Sequence, residues 1–434
     1  MKALFRSIVV FLVTLEARIV LRKYKPRVIA VTGSVGKTTT KDAVFTALSS
    51  SQFVQKSEKT LNTDIGVPLA ILGATNAWES IPGWLSVLWE GLKLIVFRNH
   101  FARVLVLEVG ADHPGDIARI MRYLVPDCAV VTGVPDVPPH IAFYDSVEAV
   151  VREKESLVAA LKSKGTLVLN GDDQRVRSMK NRAGGRTLTY GFTEGVMVRA
   201  TDYEVVWENN VPAGVRFCVS YKGSSFAIML PGCLGRAHVY AVLGGVAVAL
   251  SEGIEPRVIE AVYARHVAPP GRMRIVRGLH GSTIIDDSYN SSPAAVLVAL
   301  ETLAELRKHG GRILVALGDM RELGEHSKDA HARVGRKVAP LADQLITVGE
   351  ESGALAESAL AAGMPLEHIR RYGYGESGKA GKELAPLLKK GDIVLVKGSQ
   401  NKIRMERFVK EVMADPTEAK KVLVRQEREW IAIV

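Results

Sequence analysis

Val31-Thr32-Gly33-Ser34-Val35-Gly36-Lys37-Thr38-Thr39 closes a short apolar run that begins at Arg27 and leads directly into a helical pattern, Lys37 to Leu48. A strand that turns through glycine into a helix N-terminus points backbone amides at an anion, and glycine lets the chain wrap close to it. Lys37 adds a point charge suited to β- and γ-phosphates, and the Thr38 hydroxyl a ligand for Mg²⁺. The stretch departs from the full G-x-x-x-x-G-K-[ST] loop because Val31 stands at the first glycine position. The nucleotide-binding residues read from it are Thr32, Gly33, Ser34, Val35, Gly36, Lys37, Thr38 and Thr39.

Outward from this loop, short β-rich runs alternate with helical stretches, at Val104–Leu107, Ala129–Thr132 and Thr166–Leu169. Such alternation predicts a parallel sheet covered on both faces. Between Val198 and Leu230 the pattern changes to strands separated by Asn209-Asn210 and Lys222-Gly223, an antiparallel annex. A helix rich in small residues follows, Ala237 to Leu250, and Pro269-Pro270-Gly271 marks a boundary. Beyond it the alternation restarts, with strands at Thr283–Asp286, Arg312–Leu317, Gln344–Val348 and Asp392–Val396. The expected fold class is α/β: a P-loop central domain with a parallel sheet and small antiparallel annex, plus a C-terminal Rossmann-like α/β domain. The expected division is residues 1–25, 26–269, 270–413 and a tail, 414–434.

The 434 residues carry a formal charge of +11, but the basic residues are spread along the chain and no nucleic-acid motif accompanies them. A basic surface serving phosphorylated substrates is the reading, with no nucleic-acid partner. Cys128, Cys218 and Cys233 are scattered and odd in number, which fits a reducing cytoplasm rather than a disulfide framework. Ser7 to Leu15 is apolar between Lys2, Arg6, Glu16 and Arg18. Nine residues are too few to span a bilayer, which takes about 20 in a helix, and no small-x-small cleavage pattern follows. An uncleaved helix is expected, either packed on the body or in peripheral contact with the inner membrane face.

The shortened loop resembles that of the Mur ligases and folylpolyglutamate synthases. Later segments resemble the Mur branch that adds D-alanyl-D-alanine: Asn62-Thr63-Asp64-Ile65-Gly66-Val67-Pro68, Glu108-Val109-Gly110-Ala111-Asp112-His113-Pro114-Gly115-Asp116-Ile117, Asp286-Asp287-Ser288-Tyr289-Asn290, Gly318-Asp319-Met320-Arg321-Glu322-Leu323-Gly324 with Ser327 and His331, and Lys397-Gly398-Ser399 with Met405-Glu406. The resemblance covers roughly Pro26 to Val412. It implies ATP-dependent joining of a carboxylate to an amine through an acyl phosphate, with Mg²⁺ and cationic side chains offsetting charge on the transferring phosphoryl group.

Glu108 ends a strand beside the P-loop strand, where α/β folds place functional groups, and a carboxylate suits Mg²⁺. By resemblance, His140 helps bind a second Mg²⁺ and Lys154 is carbamylated, the carbamate steadying the metal pair. From the residues alone, Lys154 reads as an exposed helix lysine within Arg152-Glu153-Lys154-Glu155. The resemblance also implies that Arg272 reaches the ATP phosphates, Asp287 takes ribose hydroxyls and Asn290 lies near the nucleotide. Asn62, Asp64, Asp319, Glu322, His331, Lys397 and Ser399 are the expected substrate residues.

Two departures stand out. His238 occupies a position where the family carries asparagine toward adenine, and histidine can still hydrogen-bond there. The first strand follows directly after Pro26, where family members hold the UDP-sugar on a preceding domain. UDP-muramoyl-peptide and D-Ala-D-Ala are the implied substrates. A ligase acting on another precursor, and a nucleotide-binding membrane-surface protein without ligation, are the competing readings.

Overall fold

The computed structural model describes residues 2–58, 61–78, 80–400, 402–427 and 430, so the expected tail lies partly outside the described residues. Backbone proximity divides the chain into two compact units. The first takes the chain up to Thr201 with Cys218–Ala227 and Val239–Tyr263; the second takes Asp202–Phe217, Ile228–His238 and Ala264–Val434. The last crossing falls a few residues before Pro269, while the annex is shared between the units rather than lying wholly in the first.

In the first unit, β1 (Arg27–Thr32), β2 (Val54–Lys56), β3 (Val104–Glu108), β4 (Cys128–Val131), β5 (Thr166–Asn170) and β6 (Arg186–Gly191) run parallel in the order β2-β3-β1-β4-β5-β6. β3 and β4 are buried along their whole length and β1 from Val28 onward. Their continuous Val/Ile/Leu runs follow from helices covering both faces. β1 lies between β3 and β4, and such a switch of direction opens a crevice at the strands' carboxyl ends.

The covering helices include α1 (Lys2–Tyr24), α2 (Lys37–Ser49), α3 (Gly66–Leu72), α4 (Ile81–Val96), α5 (Asp116–Met121) and α6 (Val147–Ala159). Helix α1 packs on α3 and α4, burying Val9, Val13, Ala17 and Val20 in the core they share with the sheet. One face of the N-terminal segment is therefore packed on the body. Among the described residues no helix is long and apolar enough to cross a membrane.

The small residues of helix Arg236–Ser251 serve close approach. A Cβ at Gly244 would lie 3.1 Å from Thr40, and one at Gly245 only 2.2 Å from the Tyr263 hydroxyl and 2.9 Å from the Ala43 backbone. That hydroxyl donates to the Ala43 carbonyl of α2 at 3.0 Å.

β7 (Val198–Glu208), β8 (Val211–Tyr221) and β9 (Ser224–Pro231) are the annex. Its turns are Asn209-Asn210, with φ 51° and 62°, and Lys222-Gly223, with φ 48° and 80°. Positive φ at both central residues matches the right-handed twist of two-residue hairpins.

In the second unit, β10 (Arg274–Arg277), β11 (Thr283–Asp287), β12 (Ile313–Gly318), β13 (Gln344–Val348), β14 (Ile369–Tyr372) and β15 (Ile393–Lys397) form a sheet ordered β10-β11-β15-β12-β13-β14. All neighbours are parallel except β10, an antiparallel edge on β11. The chain beyond Met413 packs back, with Ala419 and Leu423 joining the core of this sheet.

Gly245→Ala is expected to destabilise the protein by about 1–3 kcal/mol through overpacking against α2. It should appear as a lower urea midpoint at unchanged m. Gly184→Ala, where an added Cβ meets nothing within 4 Å, should leave the midpoint in place.

Candidate active site

The loop after β1 turns at Gly33, φ 141°, where a Cβ would fall 2.0 Å from the Thr132 hydroxyl oxygen. Only glycine fits there. Gly36, φ 79°, opens α2 as its N-cap. Ser34 N donates to the Gly133 carbonyl at 2.7 Å, and the Thr132 hydroxyl lies 3.1 Å from the Thr32 carbonyl, so β4 braces the loop. Val31, the residue at the first glycine position, is a buried strand residue. Lys37 folds over the loop, its ammonium 2.9 Å from the Gly33 carbonyl and 3.4 Å from that of Ser34.

Glu108, at the end of β3 and 1% exposed, has both oxygens occupied. The Thr38 hydroxyl donates to one at 2.9 Å and the Asn62 amide to the other at 2.9 Å; Glu108 N in turn donates to the Ser57 hydroxyl at 3.0 Å. Thr38, Glu108 and Asn62 thus form one hydrogen-bonded chain at the carboxyl ends of β1 and β3. A hydroxyl and a carboxylate are hard oxygen donors, the set Mg²⁺ prefers.

His140, in a left-handed conformation at φ 65°, sets Nε2 3.6 Å from the Asp112 carboxylate. Lys154 is buried on α6, not exposed as its neighbours in sequence suggest. Burial, and next the charge of Lys37, push its ammonium down to about 7. Adjacent Glu153 accepts from Gly115 N and Ile117 N, both at 2.7 Å, and so fixes the start of α5. Among the described residues, no three His, Cys, Asp or Glu side chains converge into a ready-made metal cluster.

A cavity of about 940 Å³ opens beside this region, walled by α1 through Arg6, Phe11 and Arg18 and by Thr63, Asp64, Asp112, Asp116 and Arg119. Arg6 lies 3.6 Å from Asp64, and Arg119 pairs with Asp116. Asp64 also accepts from Ile65 N at 2.9 Å.

In the second unit the remaining expected residues sit at or beyond the carboxyl ends of β11, β12 and β15. Asp287 and Lys397 form a buried pair at 2.7 Å, and Lys397 also donates to the Asn290 carbonyl at 2.9 Å. The other Asp287 oxygen accepts from Met273 N at 3.2 Å. The carboxylate expected to meet ribose is thus engaged on both oxygens. The Arg272 guanidinium lies 4.0 Å over the Tyr289 ring. His238 is buried, with Nε2 2.6 Å from the Arg272 carbonyl, and burial lowers its basicity. Its contact here is with the main chain of Arg272 itself.

Asp319 is fully buried and accepts from Ser352 N at 2.7 Å. His331 receives Met320 N on Nε2 at 2.9 Å and faces the Ser327 carbonyl with Nδ1 at 2.8 Å. A carbonyl only accepts, so Nδ1 carries the proton and both ring nitrogens are spent on main chain. His331 is wholly buried and braces the loop through these main-chain bonds. Ser399 ties that loop down, accepting from Arg321 N at 3.0 Å. Glu322 is exposed at φ 64° on the same loop.

Sequence reasoning missed Asp286 and Arg425. Asp286, whose carboxyl burial pushes up to about 6, accepts from Gly271 N and Ser288 N, both at 3.1 Å. Arg425 reaches back from the tail to the Ser288 and Tyr289 carbonyls and to Glu406 at 3.1 Å. The twin aspartates flagged the first; nothing local flags the second.

The chain matches the Mur ligase middle domain over residues 91–249 and the Mur ligase glutamate ligase domain over residues 271–400. It belongs to the Mur ligase family and is an ATP-dependent carboxylate–amine ligase. It is 28% identical over 401 residues to the UDP-N-acetylmuramoyl-tripeptide–D-alanyl-D-alanine ligase of Bacillus subtilis, an alignment covering 92% of this chain and 79% of that one. With the enzyme of that name from Escherichia coli it shares 28% over 332 residues, 76% of this chain and 66% of the other. The MurF ligase of Thermotoga maritima, solved with ADP, superposes with a TM-score of 0.75 at 26% identity, covering 95% of this chain and 84% of that one.

Lys37→Ala is expected to lower ATP turnover by roughly two orders of magnitude or more if the ammonium folded over the Gly33–Gly36 loop serves phosphate. Circular dichroism and the melting temperature should stay near wild type. Near-normal turnover in the folded variant would remove Lys37 from the phosphate site.

Proposed function

We propose that this ligase acts in peptidoglycan precursor synthesis, adding D-alanyl-D-alanine to a UDP-muramoyl-tripeptide. The observation that carries the chemistry is the Thr38–Glu108–Asn62 chain beside Lys37. It sets two hard oxygens, which would suit Mg²⁺, beside the glycine-rich loop after β1 at the switch point of a parallel sheet. The branch assignment rests on the kinship with the Bacillus and Escherichia enzymes and on the Gly318–Gly324 element.

In the proposed reaction a carboxylate oxygen of the acyl donor attacks the γ-phosphorus of ATP. The bond to the β-phosphate oxygen breaks, and ADP leaves. The dipeptide amine then attacks the acyl carbon, loses a proton, and expels phosphate. The amides of the 33–37 loop and the Lys37 ammonium hold the phosphates. The Thr38 hydroxyl and the Glu108 carboxylate would hold Mg²⁺, which supplies neutralising charge to the transferring phosphoryl group. The cavity beside Asp112 is large enough for part of a muramoyl peptide and is the candidate entry for the acyl donor.

Lys154 is proposed as a carbamylated residue. Only a neutral amine captures CO₂, and burial gives Lys154 that form near neutral pH. The carbamate would place a negative charge on α6 within the field of Lys37. His140, paired with Asp112, is proposed to assist a second Mg²⁺.

One observation favours a second reading, a ligase of the same chemistry on another precursor. Helix α1, through Arg6, Phe11 and Arg18, forms one wall of the candidate donor cavity. Phosphate release measured with ATP, D-Ala-D-Ala and a panel of UDP-muramoyl peptides separates the two. Release that requires both the tripeptide and the dipeptide supports the first; release with neither, alongside intact ADP binding, sinks it.

Lys154→Ala should lose most ligation, by roughly two orders of magnitude, and recover part of it when short-chain carboxylic acids are added. Full activity without rescue would return Lys154 to a structural role.

A further inference from the structure

Helix α4 exposes Ile81, Leu85, Trp89, Leu92 and Val96, each between 43% and 63% open to solvent. Their spacing of three or four residues puts them on one stripe, while Trp84, Val87 and Gly91 are buried on the other side. Trp78 before the helix and Phe97 after it are exposed as well. Single exposed apolar residues are ordinary on a protein surface; five on one helix face, with Trp78 and Phe97 exposed at its two ends, are the kind of contiguous apolar patch that marks a binding face.

The stripe is rigidly presented. The Lys23 ammonium takes the carbonyls of Leu94 and Ile95 at 2.9 Å, as well as that of Phe97, and the Tyr24 hydroxyl donates to Leu94 at 2.9 Å. These bonds satisfy the orphan carbonyls at the end of α4 and pin it to α1. The same end is basic: Arg22, Lys25 and Arg98 are exposed around it, and Asn99 N reaches the Tyr24 hydroxyl at 3.3 Å. Along α4 the acidic residue is Glu90, and Lys93 pairs with it at 2.6 Å.

We propose that this face docks on an anionic phospholipid bilayer, α4 lying in the interfacial plane with Trp78 and Trp89 at headgroup depth and Arg22, Lys25 and Arg98 against the headgroups. Three features favour a bilayer over a protein partner. Tryptophan prefers the membrane–water interface. An apolar helix face bordered by Lys and Arg is the composition of interfacial helices, whereas protein interfaces are depleted in lysine. The charge complements anionic lipid, and docking needs no spanning segment, in keeping with the absence of one among the described residues. The site cavity and its residues take no part, so the inference stands apart from the ligase reading.

Co-sedimentation of the full chain with vesicles tests it. The protein should bind vesicles of mixed phosphatidylcholine and phosphatidylglycerol, bind pure phosphatidylcholine far less, and release as salt rises. A Leu85→Ser/Trp89→Ser variant should lose at least tenfold in partitioning, the side chains being solvent-facing and their loss leaving the melting temperature unchanged. An Arg22→Glu/Arg98→Glu variant should lose binding to the anionic vesicles by a similar factor. Three outcomes would overturn the proposal. These are a wild type that ignores anionic vesicles, variants that both bind as the wild type does, and a wild type that self-associates through this face in the absence of lipid, which assigns the stripe to a protein contact.

Discussion

A carboxylate at 1% exposure is tolerable only if its oxygens are given partners, because an unpaired charge in a low-dielectric interior costs several kcal/mol. Glu108 meets that demand by reaching in two directions, to Thr38 at the start of α2 and to Asn62 in the loop before α3. Its own amide is held by Ser57, so the segment after β2 is drawn in as well. The start of α2 and the stretch from Ser57 to Asn62 are thereby fixed to the end of β3. The loop geometry at Gly33 and Gly36 has a defined partner because α2 cannot shift without breaking the Thr38 contact.

The second unit applies the same constraint with different residues. Asp286, Asp287 and Lys397 lie buried at strand ends, and each is satisfied by backbone amides, a carbonyl or an opposite charge, while buried Asp319 takes the Ser352 amide on one oxygen. Parallel strands converge there with their carboxyl ends, and loops leaving them must find donors and acceptors from neighbouring loops. The Gly318–Gly324 segment is therefore conformationally specified: His331 and Ser399 hold it from both sides through main-chain bonds.

Much of this frame was legible before any coordinates. The strands from Arg27, Val104, Thr166, Thr283 and Gln344 start where the apolar runs start, because strands buried on both faces have little freedom of composition. Edge strands escaped for the opposite reason: Val54-Gln55-Lys56 and Ile369-Arg370-Arg371-Tyr372 pair on one side only and carry polar residues. Thr38, Glu108 and Asn62 were individually readable, but their mutual bonding is a tertiary fact. Burial of Lys154 was not readable either, since Arg152-Glu153-Lys154-Glu155 resembles a solvated helix face and its burial comes from packing of α6 on distant segments, α5, β1 and β4 among them. Arg425 had no local sign at all, because its partners lie well over a hundred positions earlier or at Glu406.

That last contact bears on how the chain can be shortened or tagged. Periodicity in the sequence stops near Met413 and invites a cut there. Glu406 is fully buried and is held by Arg404 and by Arg425, and Arg425 also reaches the carbonyls of Ser288 and Tyr289 beside the Asp287–Lys397 pair. Ending the polypeptide at Met413 would strip one guanidinium from an interior carboxylate and remove Ala419 and Leu423 from the core of the second sheet. A version cut at Met413 would therefore trade 21 residues for a weakened second unit.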